Sequence, residues 1–226
     1  MFNIGADWNP KQAHLKEILL KNECFDEAVA LLSELHAIIH SREVYGGRSE
    51  TLMDEVWEDL DEKAFRTMPT IKDVTCAWNI WHATRIEDLT ANLLIAHTAQ
   101  VLDKGWLARL NTSVTDTGNA MTDDEIMDFS NGLSMETLKA YRNAVGERTK
   151  CIIGALTPAD IKRKVNTGDV SRILAEGGVT ERPDSIWLLD FWGRKNVAGL
   201  LLMPVTRHQV GHLNDCRKLK KKCERL

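Results

Sequence analysis

The five cysteines of this 226-residue chain, Cys24, Cys76, Cys151, Cys216 and Cys223, are odd in number and scattered, and no two form a CxxC pair. That pattern argues against a disulfide framework and for a reducing, cytoplasmic setting. Long apolar runs are lacking too: the longest, "VAGLLLMPV", covers about half of a membrane span. The N-terminal "MFNIGADWNPKQAHLKE" does not have the charged-then-apolar layout of a secretory leader. A soluble intracellular protein without membrane contact is therefore expected. No glycine-rich phosphate loop, serine–histidine–carboxylate arrangement or internal repeat stands out. An excess of positive charge is also missing. With 29 Lys and Arg against 33 Asp and Glu, the net charge is −4, which is not the balance of a protein built to wrap nucleic acid. The one basic cluster, "CRKLKKKCERL", reads as a solvated helix end that complements the negative pole of the helix dipole.

What is present is helical patterning. "NPKQAHLKEILLKN" opens with Asn9 as N-cap and Pro10 at the first helical position. "DEAVALLSELHAIIHSREV" places Ala28, Leu31, Leu32, Leu35, Ile38 and Ile39 at three–four spacing, one stripe toward a core. A shorter acidic helix follows over 49–65. The segment "TIKDVTCAWNIWHATRIEDLTANLLIAHTAQVLDKGW" reads as a long helix opened by a Thr70–Asp73 capping box. "NTSVTDTGNAM" is the clearest loop, and Thr122 with Glu125 caps the next short helix. Ser134 opens a third long helix, Thr157 and Pro158 a short one, and residues 165–185 read as irregular. "SIWLLDFWG" and a last long helix from Asn196, kinked or restarted at Pro204, complete the chain. No stretch reads convincingly as strand. Four long helices with unequal linkers predict an all-α fold, a four-helix bundle with short accessory helices in its connections. One domain spans 1–226, with the bundle core at about 24–222 and residues 1–23 as a helical extension.

Candidate chemistry rests on the histidines. His208 and His212 fall on the inner face that Leu201, Val205, Cys216, Leu219 and Cys223 define in the last helix. Buried imidazoles need a hydrogen-bond partner or a metal, and an i,i+4 pair stacks both rings where one ion can be shared. On spacing alone, a metal pair and a self-satisfied polar core both stand. His36 and His40 make a second HxxxH, but beside their helix's stripe, so they read as solvated or rim residues, with His40 able to reach a pocket mouth. His14 and His97 have no partner in sequence. His82 lies between Trp78 and Ile86 on the apolar face of the second long helix, and as a third ligand it would leave coordination positions open, as catalytic sites require. Glu87 and Asp215 are placed either to orient a ligand from behind or merely to pair with Arg85 or Arg207. Cys76 points away from the His82 face and reads as a core residue. Cys216, one turn after His212, either lines the site or packs.

"WHATRIEDLTANLLI" together with "LLLMPVTRHQVGHLNDCRKLK" resembles the DinB-like (YfiT-like) metalloenzyme superfamily over about residues 28–222. The resemblance is specific only in those two motifs. It implies a four-helix bundle, often dimeric, whose histidine triad falls on His82, His208 and His212. It further implies a divalent transition metal, zinc or nickel being usual, with water completing the shell around three neutral imidazoles. Members with known activities include transferases that use bacillithiol, mycothiol or glutathione, and a maleylpyruvate isomerase. The expectation is thus a metal-dependent enzyme acting on a small-molecule substrate, a thiol transferase with a thiol cosubstrate or else a hydrolase. The rival is an interaction protein whose histidines are structural or which uses its basic C-terminal helix.

Overall fold

The computed structural model describes residues 2–47 and 49–226. After a π-helical turn, Ile4–Trp8, come α1 (Asn9–Ile18), a 3-10 turn at Asn22–Cys24, α2 (Phe25–Ile39), α3 (Arg42–Tyr45), α4 (Leu52–Trp57) and α5 (Glu62–Arg66). The next rod, α6 (Cys76–Asp88), runs straight on as a π-helical segment, Leu89–Ile95. Then follow α7 (Lys104–Leu110), α8 (Asp123–Gly132), α9 (Met135–Ala155), α10 (Pro158–Ile161), α11 (Thr167–Ala175) and α12 (Pro183–Gly193). The last rod is α13 (Val197–Leu202), a π-helical Met203–Arg207 and α14 (His208–Cys223). Among the described residues there is an isolated antiparallel bridge between Lys164 and Asn196 but no strand, so the fold is all-α as expected.

Four long rods position the site. The α6 rod packs against both α9 and α14, and α2 touches both α9 and the last rod. Within α6 every residue but Trp78 is buried, including Asn79, His82, Thr84, Arg85, Glu87 and Asp88. A helix buried all round and carrying that many polar groups must find each of them a partner, because an unpaired buried polar group costs about 1–3 kcal/mol. Asp88 shows how this is done. Its carboxylate accepts from Arg85 Nη1 (2.8 Å), Tyr141 Oη (2.6 Å), the Val101 N–H (2.7 Å), the Leu102 N–H (3.0 Å) and Asn92 Nδ2 (2.8 Å).

Local signals are met at several ends and missed at others. The Thr122–Glu125 capping box closes in both directions, and the Ser134 hydroxyl accepts from the Thr137 N–H. At the start of the chain the cap is Asn3, whose Oδ1 accepts from the Ala6 N–H, so Asn9 is already helical. Thr70 and Asp73 bond each other in a turn that opens no helix, and Asp73 also pairs with Lys222. The cap of α6 is Thr75, which accepts from the Trp78 N–H at 2.9 Å and is itself tied to Ser130 Oγ on α8 at 2.7 Å. Residues 49–65 form two helices, not one, separated at Asp59, which has φ 56°. The 165–185 stretch is irregular only in part: Asn166 caps α11, which buries Ile173. The restart at Pro204 is present. Proline has no N–H to give, and the widened turn is stitched by Thr206 Oγ1 to the Leu201 carbonyl (2.7 Å) and by Gln209 Nε2 to the carbonyls of Pro204 (3.0 Å) and Ala83 (2.8 Å).

Candidate metal centre

His208 is the first residue of α14 and His212 lies one turn on, so both rings project from one face toward α6. His82, in the second turn of α6, meets them. Its Nε2 is 3.2 Å from His208 Nε2, and His212 Nε2 is 3.1 Å from the same atom. The far nitrogens of two rings are held from behind. His82 Nδ1 lies 2.8 Å from the Thr117 carbonyl and His212 Nδ1 2.7 Å from Asn79 Oδ1. The Asn79 amide is oriented in turn, because its Nδ2 donates to the Thr75 carbonyl. Both acceptors are oxygens without a proton to give, so both rings carry their proton on Nδ1 and present a lone pair at Nε2.

These are the features a divalent transition ion requires. Two lone pairs and a third imidazole nitrogen converge within 4.8 Å of one another. An ion about 2.0–2.1 Å from each nitrogen at tetrahedral angles sets the nitrogens roughly 3.3 Å apart, close to the spacings seen. His208 Nδ1 is buried and has no partner among the described residues, so nothing behind the ring fixes its tautomer; its Nε2, facing the other two, donates a proton to them when no ion is bound and is free to ligate when one is. Burial, reinforced by His212, holds His82 down to about 3. Burial, then Arg142, holds His212 to about 4, and burial with His212 and His82 puts His208 well below the ordinary imidazole range. All three rings are neutral at pH 7, the state that ligates.

Trp78 forms one wall. Its ring stacks on His82 with centroids 4.6 Å apart and planes 8° from parallel, and its Nε1 donates to the Gly118 carbonyl at 3.1 Å. The 111–121 loop is clamped to α6 by a run of such bonds: Arg85 Nε to the Thr115 carbonyl (2.9 Å), Trp81 Nε1 to Asp116 (3.0 Å), His82 Nδ1 to Thr117 and Trp78 to Gly118. Gly118 has φ 75°, and a Cβ there would lie 2.8 Å from Trp78 Nε1. No side chain fits that close approach. His208 and His212 are partly exposed, and Gly211 between them is exposed with nothing within 4 Å of an added Cβ.

The family model of the DinB superfamily matches residues 47–215. The chain belongs to the DinB superfamily. No curated protein matches it. In this DinB chain the structure brings His82, His208, His212 and Trp78 together and disperses the other candidates. Asp215 is exposed and paired with Lys218 at 2.7 Å, because its position turns it off the inner face of α14. Glu87 neither orients the triad nor pairs with Arg85; it faces His36 and His40. His40 is fully buried, as is His36, so neither is a rim residue: α3 and α9 cover the end of α2. Cys216 packs. Its sulfur lies 3.9 Å from the Cys76 carbonyl and that of Cys76 lies 3.7 Å from the Cys216 carbonyl, and burial pushes the Cys216 thiol up. Asn79 and Thr117 are the residues that sequence reasoning missed. Asn79 stands three residues before His82 and so shares its side of the helix, whereas nothing in the sequence marks which loop carbonyl a ring will meet.

Two results are expected of this DinB centre. Asn79→Ala frees the His212 ring and should weaken metal binding about 10–100-fold, measured by competition with a chromophoric chelator; unchanged affinity would show that the amide does not orient the ligand. Metal-free protein should lose stability as pH falls. The folded-state values of His82 and His212 lie below the ordinary 6.5, so between about pH 6.5 and 4 the unfolded chain takes up protons that the folded chain refuses. The contribution is whole above 6.5 and declines through that window. Urea midpoints of chelator-treated protein at pH 7, 6 and 5 should fall in that order, and a flat series would contradict it.

Proposed function

We propose that this chain is a metal-dependent enzyme in which His82, His208 and His212 hold a divalent transition ion, zinc or nickel, and that it transfers a low-molecular-weight thiol to a small electrophilic substrate. The observation that carries the metal reading is the convergence of three Nε2 atoms, with Nδ1 of His82 and His212 proton-bearing against Thr117 and Asn79. Three protein ligands, two of them partly exposed, leave coordination positions for an incoming group, the arrangement of catalytic rather than closed structural sites. The thiol rests on the family resemblance.

When bound, the ion supplies Lewis acidity, drawing the pKa of a coordinated thiol or water toward neutrality. The chain's own residues do the rest. Thr117 and Asn79 keep protons off Nε2 of His82 and His212, so those rings do not compete as acids at the reacting face. Trp78, rigidly stacked and tied to Gly118, closes one side and excludes water there. The partly exposed His208–His212 edge is the side from which substrate would approach. The test is to load the protein with zinc or nickel and assay bacillithiol, mycothiol and glutathione against a chromogenic electrophile, with His82→Ala as control. Thiol consumption above background with one of these thiols, lost in His82→Ala, is expected. Metal-loaded protein that consumes none of them would overturn the transferase reading while leaving the metal site standing.

A further inference from the structure

The second HxxxH pair is not spent on the centre described above. His36 and His40 stand one turn apart at the end of α2, and Glu87 reaches them from α6. All three side chains are fully buried. His36 Nε2 is 2.9 Å from Glu87 Oε1, and His40 Nε2 is 3.0 Å from both carboxylate oxygens. The three donors lie within 4.8 Å of one another. We propose that His36, His40 and Glu87 form a second metal site, of two imidazoles and one carboxylate, that takes a divalent first-row transition ion and is separate from the triad.

The plan of the two clusters is the same. Each takes two histidines four residues apart, His208 and His212 on α14 or His36 on α2 and His40 at its C-cap, and completes them with a donor from α6, and in each the Nε2 atoms point inward. Ligands about 2.0–2.2 Å from an ion at octahedral or tetrahedral angles are separated by roughly 2.9–3.5 Å, which the observed spacings meet at the short end. Two imidazoles with one carboxylate are a donor set used for zinc and for non-haem iron.

The surroundings leave both rings free to ligate. His36 Nδ1 is 2.7 Å from Tyr45 Oη, a hydroxyl that can accept the ring proton, and His40 Nδ1 has no partner among the described residues. No hydrogen bond from behind obliges either ring to keep its proton on Nε2. Room for His40 is provided by Gly146 on α9, where a Cβ would fall 2.4 Å from His40 Nδ1.

Charge points the same way. Among the described residues the Glu87 carboxylate has no direct partner but the two imidazoles. The buried Arg142 guanidinium acts on it only from a distance, because its own N–H groups go to Thr84 Oγ1 (3.1 Å), Gln209 Oε1 (3.1 Å), the Ile39 carbonyl (2.8 Å) and the Met53 sulfur (3.0 Å). A buried carboxylate with no guanidinium or ammonium group bonded to it is costly. A dication answers that need directly, and Glu87 cancels half its charge. The rival is a metal-free core network in which both rings donate Nε2–H to Glu87.

The inference does not rest on the triad. Its test is elemental analysis, manganese through zinc, of untagged protein from cells grown with added zinc and manganese salts. In the His208→Ala/His212→Ala double variant about one metal per chain should remain, with circular dichroism confirming that the variant is folded. Adding Glu87→Gln to that background should remove it, with circular dichroism confirming that the protein is folded. A folded double variant holding less than about a tenth of an equivalent would overturn the second site, and so would metal that survives Glu87→Gln. If Glu87→Gln does not fold, the double variant alone decides.

Discussion

Alanine at His212 is expected to weaken metal binding by about two to three orders of magnitude. Structural zinc sites with four ligands are worth roughly 10–16 kcal/mol, so one ligand's share is about 3–4 kcal/mol, or some 10²–10³ in affinity. The loss should not be made good from nearby. Asp215 is engaged with Lys218, and Cys216 is turned toward the Cys76 backbone with its thiol held protonated by burial. Asn79 Oδ1, left without its partner, presents a neutral oxygen in place of an imidazole. Competition titrations with a chromophoric chelator measure the effect. A variant within tenfold of wild type would mean that His212 is not a ligand.

The second large effect concerns the fold. Asp88→Ala should destabilise the protein by about 3–5 kcal/mol, the cost of breaking a buried ion pair by removing one partner. Four elements lose their common acceptor at once. Arg85 is left as a buried cation, Tyr141 and Asn92 lose a bond each, and the Val101 and Leu102 N–H groups that bring the chain back toward α6 become unpaired. For a chain of this length each kcal/mol moves the melting temperature by about 2–4 °C, so calorimetry should show a fall of roughly 6–20 °C. A shift under about 3 °C would show that these groups find water or other partners. Arg85 also holds the Thr115 carbonyl at the base of the loop that orients His82, so the variant should bind metal more weakly as well as melt earlier.

The sequence carries the α-helical class and the His208–His212 pair because both depend on short-range spacing. Apolar stripes, caps such as Thr122 and Ser134, and the HxxxH of α14 are all set within one or two helical turns. What it does not carry is set by contacts far along the chain. Thr75 outcompetes Thr70 as the cap of α6 because Ser130, 55 residues away, holds its hydroxyl. His36 and His40 read as rim residues because their distance from the α2 stripe is all the local pattern shows. Their burial comes from α3 and α9, and their partner Glu87 is 51 and 47 residues distant. The Thr117 carbonyl behind His82 is a backbone group, which no residue type announces. The DinB motifs supply the pairing of His82 with His208, a separation of 126 residues that periodicity alone does not bridge.

The central claim is that His82, His208 and His212 share one ion. Elemental analysis of untagged protein, wild type beside His82→Ala, tests it most directly. A fall of about one transition-metal equivalent per chain in a folded His82→Ala variant is the predicted result. Equal metal in the two proteins, or no metal in the wild type after incubation with zinc and with nickel, would contradict it and make the three histidines a polar core network.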